Sequence, residues 1–173
     1  LALDKQGREL WLREIPEHGP SGSAADLAAD NDHVYCAFGD SVFRISADGQ
    51  HHEAIATGGD SLNALALGEG RVYYAEGNYS YGYAPSTIYE WSEDGGTRIL
   101  FQADRSLYIT ALALDPARRR LYWDMLGRIW SLGLDDLRAE QVTITASAQQ
   151  RSVTQSRDKL FWVEGHYLRQ QAK

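Results

Sequence analysis

The side chains that could do chemistry in this 173-residue chain are few, and the densest group is aromatic. In Gly77-Asn78-Tyr79-Ser80-Tyr81-Gly82-Tyr83-Ala84-Pro85-Ser86, three tyrosines alternate with small residues. On an exposed loop, Tyr79, Tyr81 and Tyr83 would give large contact area at low entropic cost, with Asn78 beside them. That is the chemistry of protein and sugar recognition. The competing reading is a loop folded back over a gap in the core. Glu76, Asp124 and Glu164 are three carboxylates that would suit a cation or a basic partner if they formed one rim. The histidines, His18, His33, His51, His52 and His166, are scattered. Only His51 and His52 are paired in sequence, and neighbours on a strand point to opposite faces, so no two-histidine metal site is expected there. Cys36 alternates with apolar neighbours and reads as buried. The chain has no G-x-S-x-G elbow, phosphate loop or H-E-x-x-H. No catalytic residue, metal site or cofactor is assigned.

Composition narrows the classes further. Lys plus Arg number 17 against 24 Asp plus Glu, a net charge of -7. A nucleic-acid binder would carry a basic footprint, so that partner is excluded. Apolar runs reach about five residues, far short of the roughly 18 a membrane helix needs, so no membrane insertion is expected. One cysteine excludes an internal disulfide and a cysteine-built metal cluster. It suits the cytosol and an extracytoplasmic space alike, and the expectation leans to the latter. The chain opens LALDKQGREL without an initiator Met, and is expected to be a mature or excised chain.

The elements that would position these residues recur. His33-Val34-Tyr35-Cys36-Ala37 matches Arg71-Val72-Tyr73-Tyr74-Ala75, Arg120-Leu121-Tyr122-Trp123-Asp124 and Lys159-Leu160-Phe161-Trp162-Val163. The central aromatics fall at 35, 73, 122 and 161, roughly one propeller-blade length apart. Upstream of each lies an Ala-rich strand, such as Leu62-Asn63-Ala64-Leu65-Ala66-Leu67. Downstream lies an alternating strand, such as Thr87-Ile88-Tyr89-Glu90-Trp91. Polar turns such as Asp48-Gly49 and Asp94-Gly95 then lead to one more strand, a hairpin signature.

The unit is therefore four short antiparallel strands, A to D, and the expected fold is all-β: a β-propeller of four-stranded antiparallel blades in four repeats. The expected blades are about 25–57, 62–102, 109–145 and 152–173. The last lacks a D strand, which residues 8–13 would supply to close a four-bladed ring. The other arrangement is a segment of a larger propeller. Alanines suit the A strands because blades converge at the axis, and Tyr and Trp fill the wider spaces between blades.

Ile109-Thr110-Ala111-Leu112-Ala113-Leu114-Asp115-Pro116 followed by Arg120-Leu121-Tyr122-Trp123-Asp124 resembles the YWTD repeat of low-density-lipoprotein-receptor-type propellers, without its Thr. It is also similar to NHL and gluconolactonase-like blades. Tyr35-Cys36-Ala37-Phe38-Gly39-Asp40-Ser41-Val42-Phe43-Arg44 looks more like a hemopexin repeat. The resemblance covers nearly the whole chain and implies ligand or protein binding more often than catalysis. It also implies a structural role for Asp124, holding neighbouring backbone together.

Propeller ligands usually sit on the face of the D–A and B–C loops. Asn63, Thr110 and Arg151 start A strands and would line the channel mouth there, with Asp60, Ser61, Asp104 and Gln150 just before them. A hydrated channel is the plainer reading of that mouth. Arg118-Arg119-Arg120 reads as a solvated charge run. The leading expectation is a non-enzymatic binding or scaffold module for a protein partner, through Asn78, Tyr79, Tyr81, Tyr83, Asn63, Thr110 and Arg151. The alternatives are a carbohydrate-binding propeller on the same tyrosines, with Trp91 or Trp123 if exposed, and a metal-dependent lactonase-like hydrolase, for which only Asn63, Asp60 and Asp104 are candidate ligands.

Overall fold

Two adjacent aromatics on a strand must point to opposite faces, so each aromatic doublet of the repeat serves two neighbours at once. The computed structural model describes residues 2–3, 9–11, 24–57, 62–76, 85–104, 109–144, 153–164 and 167–173. The described strands are β1 (Ala2–Leu3), β2 (Glu9–Trp11), β3 (Ala24–Ala29), β4 (His33–Phe38), β5 (Ser41–Ser46), β6 (His52–Thr57), β7 (Leu62–Gly68), β8 (Arg71–Glu76) and β9 (Thr87–Ser92). They continue with β10 (Gly96–Gln102), β11 (Ile109–Asp115), β12 (Arg120–Met125), β13 (Arg128–Gly133), β14 (Ala139–Ile144), β15 (Val153–Gln155), β16 (Lys159–Glu164) and β17 (Tyr167–Ala172).

Each repeat folds into its own antiparallel meander. Three sheets have four strands: β3-β4-β5-β6, β7-β8-β9-β10 and β11-β12-β13-β14. The fourth, β15-β16-β17, has three among the described residues. β1 pairs with β2. This is a β-propeller of four antiparallel sheets, the inner strands packing in chain order: β3 on β7, β7 on β11, β11 on β15. Completion of the fourth blade by residues 8–13 is no part of the described pairing and is taken up below as a proposal.

The core lies in the three seams between sheets. Tyr35 of the first sheet and Tyr74 of the second share one seam with Val42, Leu62, Leu65 and Val72. Tyr73 and Trp123 share the next with Ile88, Leu121 and Leu132. Tyr122 and Trp162 meet in the third with Ile129 and Leu160. The first aromatic of each doublet thus faces the following sheet and the second faces the preceding one. The steric expectation for the inner strands holds as well: Ala64 and Ala75 are fully buried in the central seam.

Side chains also bind the inner strands to one another across the seams. The Leu65 amide of β7 donates to the Asp26 carboxylate on β3 at 2.8 Å. The Gln155 side-chain amide on β15 donates to the Leu114 carbonyl on β11 at 2.9 Å. These bonds satisfy backbone groups on strand edges that no neighbouring strand pairs.

Candidate functional site

The strand ends fix where a ligand can approach. A strands begin and B strands end on the same face, and a register shift marks the start of three A strands, at Ala24/Asp26, Leu62/Ala64 and Ile109/Leu112. A bulge kinks the strand and re-aims a side chain, and bulges gather beside functional sites. Asn63 and Thr110 occupy the second and third of these bulges and are half-buried.

Thr110 is held in place. Its hydroxyl donates to Asp124 Oδ2 at 2.9 Å. The Gly127 amide donates to the same carboxylate. Asp124 therefore ties the A strand to the B–C turn, where Leu126 and Gly127 both adopt positive φ, the backbone of a tight two-residue hairpin. Burial pushes the Asp124 carboxyl up to about 6, with the Thr110 hydroxyl and the Gly127 amide pulling the other way. This is the structural role that the resemblance implies for Asp124.

The acidic rim is not formed as expected. Glu76 pairs in register with Leu62 and Thr87, and Met125 pairs equivalently with Ile109 and Arg128. Asp124 thus matches Ala75, one residue inside Glu76, and adjacent strand residues face opposite ways. Glu76 is buried in a different setting, accepting a hydrogen bond from the Tyr89 hydroxyl at 2.7 Å. Burial and that bond push the Tyr89 hydroxyl up to about 12. Tyr89 stacks on Tyr74 with ring centroids 5.0 Å apart. The Glu164 side chain lies outside the described residues.

The connection that leaves Glu76 is the outlier of this face. β8 ends at Glu76 and β9 begins at Thr87, so residues 77–86 cross from B to C. In the first and third sheets, residues 39–40 and 126–127 suffice. The far end of the long connection is anchored: Ser86 and Thr87 are buried, and the Ala103 amide donates to the Ser86 carbonyl at 2.9 Å. Asn78, Tyr79, Tyr81, Tyr83 and Arg151 lie outside the described residues, as do Asp60, Ser61 and Gln150. Asp104 is described and exposed.

Other expectations resolve on the opposite face, at the A–B and C–D turns. Arg118 and Arg119 are exposed, as a solvated run would be, Arg120 is half-buried, and each also makes contacts to other turns or strands. Arg118 bonds Asp115 and the Arg157 carbonyl, Arg119 bridges Glu69 and Asp135, and Arg120 bonds Ser131 and Glu140. Lys173 is buried against Asp115, which joins the end of the chain to the third sheet. Burial raises the Asp115 carboxyl, but Lys173 and Arg118 outweigh it and hold it below its ordinary value. His33, His51 and His52 line one shallow hollow with Arg44 and Glu53. Among the described residues, no group of three His, Cys, Asp or Glu side chains is placed to hold a metal. Cys36 is buried, and burial pushes its thiol up.

Sequence reasoning missed a polar ladder across strands B, C and D. His33, Arg71, Arg120 and Lys159 open the B strands, two residues before the first aromatic. Arg44, Glu90, Ser131 and Gln170 stand on C, opposite that aromatic. Glu53, Arg98 and Glu140 stand on D, opposite the C residue. The one signal in the sequence was the basic residue that opens each repeat.

No protein-family model matches the chain, and no curated protein matches it. Solved structures do. The chain is similar to one in the crystal structure of a nidogen/laminin complex, with a TM-score of 0.73 and 18% identity over 87% of this chain and 60% of that one. It is similar to an auxiliary nutrient binding protein from Bacteroides thetaiotaomicron, with a TM-score of 0.71 and 11% identity over 87% of this chain and 38% of that one. The computationally designed Ika4 protein gives a TM-score of 0.68 and 13% identity, with 96% of this chain and 98% of that one covered. Identities this low establish the propeller fold alone. The chain spans 60% and 38% of the first two.

Proposed function

We propose that the chain is a non-enzymatic binding module: one self-closed ring of four blades that recognises a protein partner on its loop face. The observation that carries this is the connection 77–86, long in one blade and short in the others, rich in tyrosine and anchored by buried residues at its end. In this reading Asn63 and Thr110, with Arg151, would border the mouth beside it. The two A-strand bulges aim Asn63 and Thr110, and Asp124 fixes the second. The fit of residues 109–124 to the YWTD-like repeat points the same way. So does the fold's likeness to a chain of the nidogen/laminin complex and to an auxiliary nutrient binding protein.

Closure is part of the reading. Pairing with β1 occupies one edge of β2, so β17 can take the other, and residues 8–13 then supply the fourth blade's missing strand. A closed ring removes the open sheet edge.

The test compares the immobilised full chain with its Tyr79→Ala/Tyr81→Ala/Tyr83→Ala variant. The reading expects a protein captured from the source cells by the parent chain and bound about tenfold more weakly by the variant, with an unchanged melting temperature. Equal capture by both chains would overturn it. The nutrient-binding neighbour favours one second reading, a carbohydrate stacked on the same tyrosines. A glycan array separates the two: hits lost in the variant would support the second reading.

A further inference from the structure

The underside of the second sheet holds a charge asymmetry that the loop face does not use. In the first sheet, one guanidinium, Arg44, meets two carboxylates, Glu53 and Glu93. In the third, Arg120 meets one, Glu140. In the fourth, the Lys159 amine donates to the neutral Gln170. In the second, two guanidiniums converge on one carboxylate. Arg71 Nη1 lies 2.5 Å from Glu90 Oε1, Arg98 Nε lies 2.8 Å from the same oxygen, and Arg98 Nη2 lies 3.2 Å from Oε2.

The geometry is that of a preset fork. The Glu90 side chain is only 4% exposed, whereas Arg71 and Arg98 are 40% and 54% exposed. The hydrogen bond to Glu90, against the opposing effect of burial, holds the Arg98 proton above its ordinary affinity. Each guanidinium has five N–H donors, and Glu90 engages one on Arg71 and two on Arg98. Both side chains border a hollow of about 370 Å³ lined also by Ser92, Asp94, Gly95 and Gly96. A Cβ on Gly96 would meet nothing within 4 Å, so the C–D turn leaves that side of the hollow open. Glu93, the other acid of that turn, is engaged by Arg44 of the first sheet. Asp94 on the rim and the buried Glu90 are the two carboxylates that line the hollow.

We propose that this hollow binds a small oxyanion, phosphate or carboxylate, between Arg71 and Arg98, with Glu90 as the positioning residue. Planar guanidiniums suit such ligands because they present paired donors at matching spacing.

The experiment titrates the full chain with inorganic phosphate at constant ionic strength, followed by calorimetry, and repeats it with acetate. The expected result is saturable binding of at least one anion, weakened about tenfold in Arg98→Gln and tightened several-fold in Asp94→Asn. Phosphate alone, acetate alone or both define which oxyanion the hollow takes. Arg98→Gln leaves Glu90 paired with Arg71, so its melting temperature without anion should stay near that of the parent. If it does not fold, Arg71→Gln is read in its place. No saturable binding of either anion, or equal binding by parent and variant, would overturn the proposal. The loop-face reading is untouched by either result, because it rests on the connection between Glu76 and Thr87, at the other end of these strands.

Discussion

Asp124 is a buried acid that accepts hydrogen bonds from Thr110 and Gly127, and its burial sets its behaviour with pH. Its folded value, about 6, lies above the ordinary 3.8. A group raised in this way contributes stability below about pH 4 and loses it as pH rises through 6. Two units correspond to about 3 kcal/mol. Asp124→Asn cannot ionise, so its stability relative to the parent should rise by up to about 3 kcal/mol between pH 4 and 7, read by urea unfolding at each pH. Asp30 and Asp115, held low by their partners, change stability in the opposite sense, but they are common to both proteins and cancel in the difference. A constant difference across that range would mean that Asp124 is not a buried carboxylate. At this scale the sequence was partly legible. Cys36 took the role its neighbours suggested, and Asp124 the one the resemblance implied. Arg118 and Arg119 are exposed as expected, but the partners of Arg118, Arg119 and Arg120 on other turns and strands were hidden, because no local pattern points to them.

The strand is the scale at which the sequence spoke most clearly. A doublet of bulky residues with period-two alternation admits only one arrangement between sheets, and Tyr73 with Tyr74 and Tyr122 with Trp123 adopt it. The Ala-rich strands were legible for the same steric reason. Ala64 is fully buried between β8 and the third sheet, so Ala64→Leu should cost about 1–3 kcal/mol in chemical denaturation by overpacking. A neutral result would show that the central seam is looser than its burial indicates. The bulges at Asn63 and Thr110 were hidden, since nothing in the residue types marks a register shift. The same is true of the Glu76 and Asp124 positions, which look equivalent by eye and differ by one residue once the strands are paired. The ladder of Arg71, Glu90 and Arg98 was hidden too: it joins three strands, and only the register brings its members together.

The whole molecule depends on how the first and fourth sheets meet. Three seams are filled, and the faces beyond them are unequal. Leu27 of the first sheet is 64% exposed, and Leu168 of the fourth, paired in register with Val163, is 73% exposed. Apolar groups this open are what a fourth seam would cover, and Phe161 points to that side as Tyr35, Tyr73 and Tyr122 point to the next sheet in theirs. Closure by residues 8–13 would make one chain one ring and the loop face one continuous mouth. The repeat count made that ring legible as a possibility, but repeats alone fix the blade and not the number that share an axis. Light scattering on a sizing column tests it directly. The account predicts a compact monomer of one chain mass, 19.3 kDa, at all working concentrations. A stable dimer or a concentration-dependent assembly would contradict it, and would place the mouth on a larger ring built from more than one chain.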